Sequence, residues 1–237
     1  MADLPATTAW NPIFAHLITS HATKSPIYLF NKDEGNQQEQ LGIWLTDNLH
    51  PHGAHHSPQI PERNGFRELT DILLSHQFGS ILIESKALTI FARENLPNRT
   101  KLARDLSSHI TKAIKQLRGG MRRLKDGAPV TSKAGVQLDI ERTHPMHGIV
   151  LIPDLDLIEN RKAYGPPFIK EFMKVTGGLL HLLDISELLR VVQAAEMIAA
   201  RGTTTTKMMA FDYYLMERAK KTVEAGTLCI QVLLRLR

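Results

Sequence analysis

Cysteine is almost missing from this sequence: its 237 residues include one, Cys229. No disulfide framework can close within the chain, and no cysteine-rich zinc module can be built from it. Long apolar runs are missing as well. No segment reaches the roughly 18 uninterrupted apolar residues that cross a bilayer. Met1 to Trp10 show no basic stretch leading into an apolar one, the mark of a secretory signal. The expectation is a soluble cytoplasmic protein with no membrane partner. Fifteen Gly and twelve Pro are ordinary numbers for this length, so collagen-like and wholly disordered chains are excluded. No internal repeat is visible. The excess of one charge sign is mild, a formal net charge of +5, which permits a polyanionic partner without requiring one.

What is present is 43% hydrophobic and 22% charged residues, enough to build a core in one enlarged domain or two small ones. Pro26 to Phe30 is a short β-like run. Apolar residues at 41, 44, 45 and 49 form one helical stripe. His50 to Gly65 reads as a loop. Its four histidines, His50, His52, His55 and His56, lack a rigid frame or a cysteine, so a surface loop is expected rather than a zinc site. Two apolar runs follow, Glu68–Leu74 and Ser80–Leu88, separated by Ser75–Gly79, which is a hairpin pattern.

From Arg99 to Lys125 apolar residues recur at three- and four-residue steps, predicting a long helix. Residues 97–126 hold nine Lys or Arg against two Asp, so the basic excess is concentrated there. Within it, Gly119-Gly120 predicts a kink or the close approach of another backbone. Gly127 to Met146 reads as a loop, Gly148–Ile152 as a buried strand, and Leu179–Leu183 as another strand. Asp184 and Glu187 form a capping-box pattern opening a helix to about Ala200, and a last helix is expected over Met208–Glu224. Thr227–Leu236 is apolar, and Cys229 within it reads as a buried thiol. Asp154 and Asp156 read as turn-formers, and Asp212, Tyr213 and Tyr214 as packing residues of the last helix. The class is α/β with a mixed sheet flanked by helices.

The hairpin carries the chemistry. Alternate residues of a strand share a face, so Glu84 and Lys86 point the same way. Folding the hairpin between Gln77 and Phe78 sets Asp71 directly across from Glu84, with Cβ atoms about 5 Å apart. Two carboxylates at that spacing repel unless a cation lies between them, and Mg²⁺ takes oxygen-rich sites of this kind. Lys86, one pleat along, can hold a water or a developing negative charge. Metal-dependent phosphodiester hydrolysis uses these groups, and a basic helix alongside would hold the phosphate backbone through Lys112, Lys115, Arg118, Arg122 and Arg123.

Asp71, the gap that follows it, and Glu84-Ser85-Lys86 after Ile81-Leu82-Ile83 resemble the motif of the PD-(D/E)xK nuclease superfamily. The likeness covers roughly residues 36–125, with Thr-Asp standing where Pro-Asp is usual. It implies a restriction-endonuclease-like αβββαβ core over residues 36–153. An N-terminal segment, 1–35, would precede it. An α/β to helical C-terminal extension, 154–237, would pack on it and offer an oligomer or partner surface. It also implies Mg²⁺ or Mn²⁺ on Asp71, Glu84 and the Ser85 carbonyl, with Lys86 orienting water and Gln116 steadying the site from the helix. Glu39 of the first helix is the candidate further acid. The implied function is a nuclease acting on nucleic acid, DNA before RNA. A role in phage defence and control through a homodimer or a regulatory protein go with it. The competing expectation keeps the fold but only binds nucleic acid or assembles with a partner. Glu68, on the opposite strand face from Asp71 if the strand is regular, reads as a surface charge or a salt-bridge partner.

Overall fold

Asp33 opens the first helix, α1 (Glu34–Leu49), by accepting a hydrogen bond from the Asn36 backbone N–H at 3.0 Å. The computed structural model describes residues 33–51, 53–90, 93–95, 97–201 and 204–229. The β-like run Pro26–Phe30 and residues 230–236 of the apolar C-terminal run lie outside them. After α1 come β1 (Ala54–His56), β2 (Gln59–Glu62), β3 (Gly65–Glu68), β4 (Ile72–His76) and β5 (Gly79–Ser85). The long helix α2 (Arg99–Lys125) has the bounds its periodicity predicts. Then follow β6 (Val130–Thr131), β7 (Gln137–Leu138), β8 (His147–Ile152), α3 (Pro166–Thr176), β9 (Leu179–Asp184), α4 (Ile185–Arg201) and α5 (Lys207–Ala225).

Five strands form the central sheet in the order β1-β4-β5-β8-β9, and a smaller sheet runs β3-β2-β6-β7. The central sheet is mixed: β1, β4 and β5 are antiparallel neighbours, whereas β8 and β9 run parallel to β5. The β4–β5 register is the expected one, Ile72 opposite Ile83 and Leu74 opposite Ile81. The strands reach His76 and Gly79, so the connection is a two-residue turn, Gln77-Phe78, shorter than the five residues expected. Gly79 sits at φ +142°, and a Cβ there would lie 3.0 Å from the Pro145 carbonyl oxygen. Only glycine fits at that start of β5.

Alternation along the strands divides the core. Leu73, Leu82 and Val150 face α2 and α3, packing on Leu117, Met121 and Phe172. Ile72, Ile83 and Leu151 face α1, α4 and α5, packing on Leu45, Leu188 and Phe211. Gly120 is where α2 touches the hairpin: a Cβ there would lie 3.0 Å from Leu82 Cδ2 and 3.1 Å from the Leu69 carbonyl oxygen. The glycine pair therefore marks a close approach.

Several expectations are corrected. The stretches taken as loops, 50–65 and 127–146, contain β1, β2, β6 and β7, each too short to show a period. Helix α3 was not anticipated, although Pro166 and Pro167 open it and Gly177, left-handed at φ 75°, closes it. The sheet does not end near residue 153, because β9 pairs with β8 along its whole length. The apolar content after Leu179 largely fills the core against the sheet.

Asp184 caps α4 by accepting from the Glu187 N–H at 2.7 Å, but the Glu187 side chain does not complete the box. It is buried and accepts from Arg218 Nε at 2.7 Å and from the Tyr214 hydroxyl at 2.5 Å. Tyr214 thus belongs to a buried polar network rather than to plain packing, and the carboxylate beside it pushes its hydroxyl above the usual range after burial has done the same. Asp212 lies 3.2 Å from His147 Nε2, and His147 Nδ1 lies 2.9 Å from His181 Nε2. Asp154 behaves as the expected turn-former, accepting from Asp156 N–H at 2.8 Å. Cys229 is half-buried rather than buried. No helix among the described residues is long and apolar enough to cross a membrane.

Candidate active site

The carboxyl end of β5 places Glu84, Ser85 and Lys86 beside the entry of β4. Thr70 fixes that entry by donating its hydroxyl to the Ile83 carbonyl at 2.8 Å. One residue past the last ladder pair, Asp71 lies beside Glu84. Its Oδ2 accepts from the Ser85 N–H at 2.6 Å and from Lys86 Nζ at 3.5 Å, while Lys86 Nζ also donates to Glu84 Oε2 at 2.8 Å. Asp71, Glu84 and Lys86 therefore meet as the hairpin register requires.

Ser85 and Lys86 are gripped from the other side of the strand. Lys86 N–H donates to the Leu151 carbonyl at 2.8 Å. Gln38, from α1, donates to that same oxygen at 3.0 Å and to the Ser85 hydroxyl at 2.9 Å. The Gln38 contact went unforeseen: a polar residue on a helical stripe has no signature in sequence until its partners are known.

Glu84 is 1% exposed. Burial, then the neighbouring Asp71 charge, raise its pKa to about 7 against the opposing pull of Lys86. Burial lowers Lys86, but Glu84 and Asp71 outweigh it and hold the ammonium above its ordinary value. Glu68 is also drawn in. Burial and a hydrogen bond to Asp71 raise its pKa, with Glu39 adding a repulsion. Glu68 is exposed, as expected of a surface charge, but it reaches Asp71 instead of facing away from it. Glu68 ends β3 in the small sheet, and the chain turns through Leu69-Thr70 before β4, so strand parity does not carry from Glu68 to Asp71. Glu39 pairs with His56 at 3.4 Å.

The groups that could hold a divalent cation are the Asp71 and Glu84 carboxylates and the Ser85 carbonyl. Their chemistry fits: they are hard oxygen donors, and two buried acids face one ammonium. Among the described residues no three or more His, Cys, Asp or Glu side chains converge as a metal cage. A Mg²⁺ ion that keeps several waters is held by one or two carboxylates.

A groove of about 500 Å³ runs from Glu84 along α2, lined by Lys115, Gln116, Arg118, Arg122 and Arg123, with Arg67 and Glu68 from β3 opposite. Gln116 and four of the five expected cations thus share one groove with Glu84. Lys112 is exposed and lies outside it. Arg118 sits over the Phe172 ring at 5.7 Å, and Arg123 lies 3.6 Å from Glu62. Arg67 was not anticipated. A larger cavity, about 760 Å³, opens between the first half of α2 and residues 157–164, but it brings one carboxylate, Glu159, and no acid pair. Of the protein families, curated proteins and solved structures compared with this chain, none matches it.

Proposed function

We propose that this protein is a metal-dependent nuclease of the PD-(D/E)xK type, cutting DNA in preference to RNA. One observation carries the reading: Asp71, Glu84 and Lys86 meet, and Glu84 shares one groove with the α2 cations and Gln116. The order of elements in the central sheet agrees with it, since α1, the antiparallel β1, β4 and β5, the crossover α2 and the parallel β8 follow αβββαβ.

A Mg²⁺ or Mn²⁺ ion held by Asp71, Glu84 and the Ser85 carbonyl would supply an activated water and neutralise charge at phosphorus. Lys86 orients the attacking water and supports the negative charge that develops on the phosphate oxygens. Gln116 steadies a phosphate from the helix, and Lys115, Arg122 and Arg123 hold the flanking backbone by contacts that ignore sequence. Gln38 acts on Ser85 and the Leu151 carbonyl, which makes it a positioning residue.

A second reading, a binding subunit without turnover, rests on Lys86 pairing with both acids and satisfying part of the charge a cation would take. The two separate cleanly. Plasmid, linear duplex, single-stranded DNA and RNA are incubated with Mg²⁺, Mn²⁺ or EDTA, beside Glu84→Ala and Lys86→Ala. Metal-dependent cutting lost in both variants is the expected result. Absence of cutting, with metal-independent binding intact in both variants, overturns the nuclease reading in favour of the binding subunit.

A further inference from the structure

Phe66 is the most exposed of the large apolar side chains described, at 67%, and it sits one pair behind the tip of the β2–β3 hairpin, opposite Pro61. The tip is Arg63-Asn64. These two residues line a shallow concavity together with Pro61, Glu62 and Arg123. Arg123 also lines the groove that holds Glu84, so the two surfaces are continuous. Glu62 lies 3.3 Å from Arg67 and 3.6 Å from Arg123, where it spaces two guanidinium groups that phosphates would otherwise bridge. Beyond Arg67, this hairpin runs through Glu68 straight into Thr70-Asp71.

We propose that the β2–β3 hairpin is a recognition finger for single-stranded nucleic acid, stacking an unpaired base on Phe66 while its arginines continue the phosphate track of the groove. The proposal rests on the nucleic-acid reading of that groove. Strand parity places Phe66 on the hairpin face away from Arg67. A chain following the cations must therefore turn over the Arg63-Asn64 tip to reach the ring. A single strand makes that turn freely, whereas duplex DNA, with a persistence length of about 150 base pairs, resists it. An exposed aromatic beside arginines is also what base stacking uses, and stacking tolerates any base.

The test is fluorescence anisotropy in EDTA, so that nothing is cut. The probes are labelled oligothymidylate, oligouridylate, a blunt duplex of equal length and an abasic deoxyribose-phosphate oligomer. Tighter binding of the single strands than of the duplex is expected. Phe66→Ala should weaken single-strand binding by about tenfold, Phe66→Trp should restore it, and the abasic oligomer should not sense either change. Glu62→Gln should tighten binding to every probe. Whether thymidylate or uridylate binds more tightly tells which single strand is preferred. Unchanged single-strand affinity in Phe66→Ala overturns the finger, as does an equal loss on the duplex and the abasic probe. If the wild type still cuts in Mg²⁺ while Phe66→Ala binds normally, the finger falls alone. If the wild type binds no probe, the finger and the groove reading fall together.

Discussion

Gly119 and Gly120 are neighbours in α2, yet alanine should act on them with opposite sign. Either change removes the helix penalty of glycine, a gain of about 1 kcal/mol. At Gly119 the nearest atom to a new Cβ is Arg67 Nη2 at 3.9 Å, ordinary contact with the far end of a mobile side chain. Gly119→Ala should therefore stabilise by about 1 kcal/mol. At Gly120 the new Cβ would meet Leu82 Cδ2 at 3.0 Å and the Leu69 carbonyl oxygen at 3.1 Å. Leu82 is fully buried and Leu69 offers backbone, so neither yields easily. Overpacking of this kind costs about 2 kcal/mol, which leaves Gly120→Ala less stable than wild type by about 1 kcal/mol after the helix gain. The two variants should differ by about 2 kcal/mol in urea unfolding, with unchanged m-values. Leu69 and Leu82 stand two residues before Asp71 and Glu84, so the same contact sets how far the acid pair lies from α2. Equal stability of the two variants, or a more stable Gly120→Ala, would refute this view of how α2 seats on the hairpin.

Arg218→Ala should lower stability by about 3–5 kcal/mol, because it leaves the Glu187 carboxylate buried without its cation; urea unfolding at neutral pH measures it, and a loss under 1 kcal/mol or so would contradict the pairing. His181 is held well below its ordinary pKa by burial, then by His147 and Arg218, so the unfolded chain takes up a proton that the folded one refuses. Its contribution is full above the unfolded value of about 6.5 and is lost as pH falls below it, by about 1.4 kcal/mol per pH unit. Thermal unfolding of His181→Gln should show a shallower acid slope than wild type, and identical slopes would discount the histidine. Glu84, with its pKa raised to about 7, must shed a proton to bind a cation in more acidic solution. Mn²⁺ affinity by calorimetry should therefore fall about tenfold per pH unit below that value, and a flat profile would remove Glu84 from the ligand set.

Some of the fold was legible because one local feature fixed it. Folding Ser75–Gly79 about its middle, between Gln77 and Phe78, gives the hairpin the register it has, although the turn is only those two residues, so Asp71, Glu84 and Lys86 could be brought together from sequence alone. Twenty-seven residues of helical period gave the bounds of α2. Elements that show no period within themselves were not legible. The two-residue strands β6 and β7 are defined by their pairing with each other and, through Thr131, with Gln59 of β2, whereas α3 carries both end signals and a buried face, Ile169, Phe172 and Thr176, that could have been read.

The strand from Gly79 to Ser85 shows where sequence reading of the site stops. Which way each side chain points follows from parity, and parity is a property of one strand. It held from Ser80 to Lys86, and failed at Glu68 because the chain changes sheets between that residue and Asp71. What surrounds each side chain is a property of several elements at once. The Leu151 carbonyl on β8 accepts both from Lys86 N–H and from Gln38 on α1, and neither partner is near the other in sequence. The charge of the site depends on the same kind of encounter. Glu84 rises because Asp71 and the core close over it, and it would remain an ordinary acid on an open strand. The acids and the lysine can therefore be nominated from their spacing, but Gln38, Glu68 and Arg67 enter only once three separate stretches of chain have been folded against them.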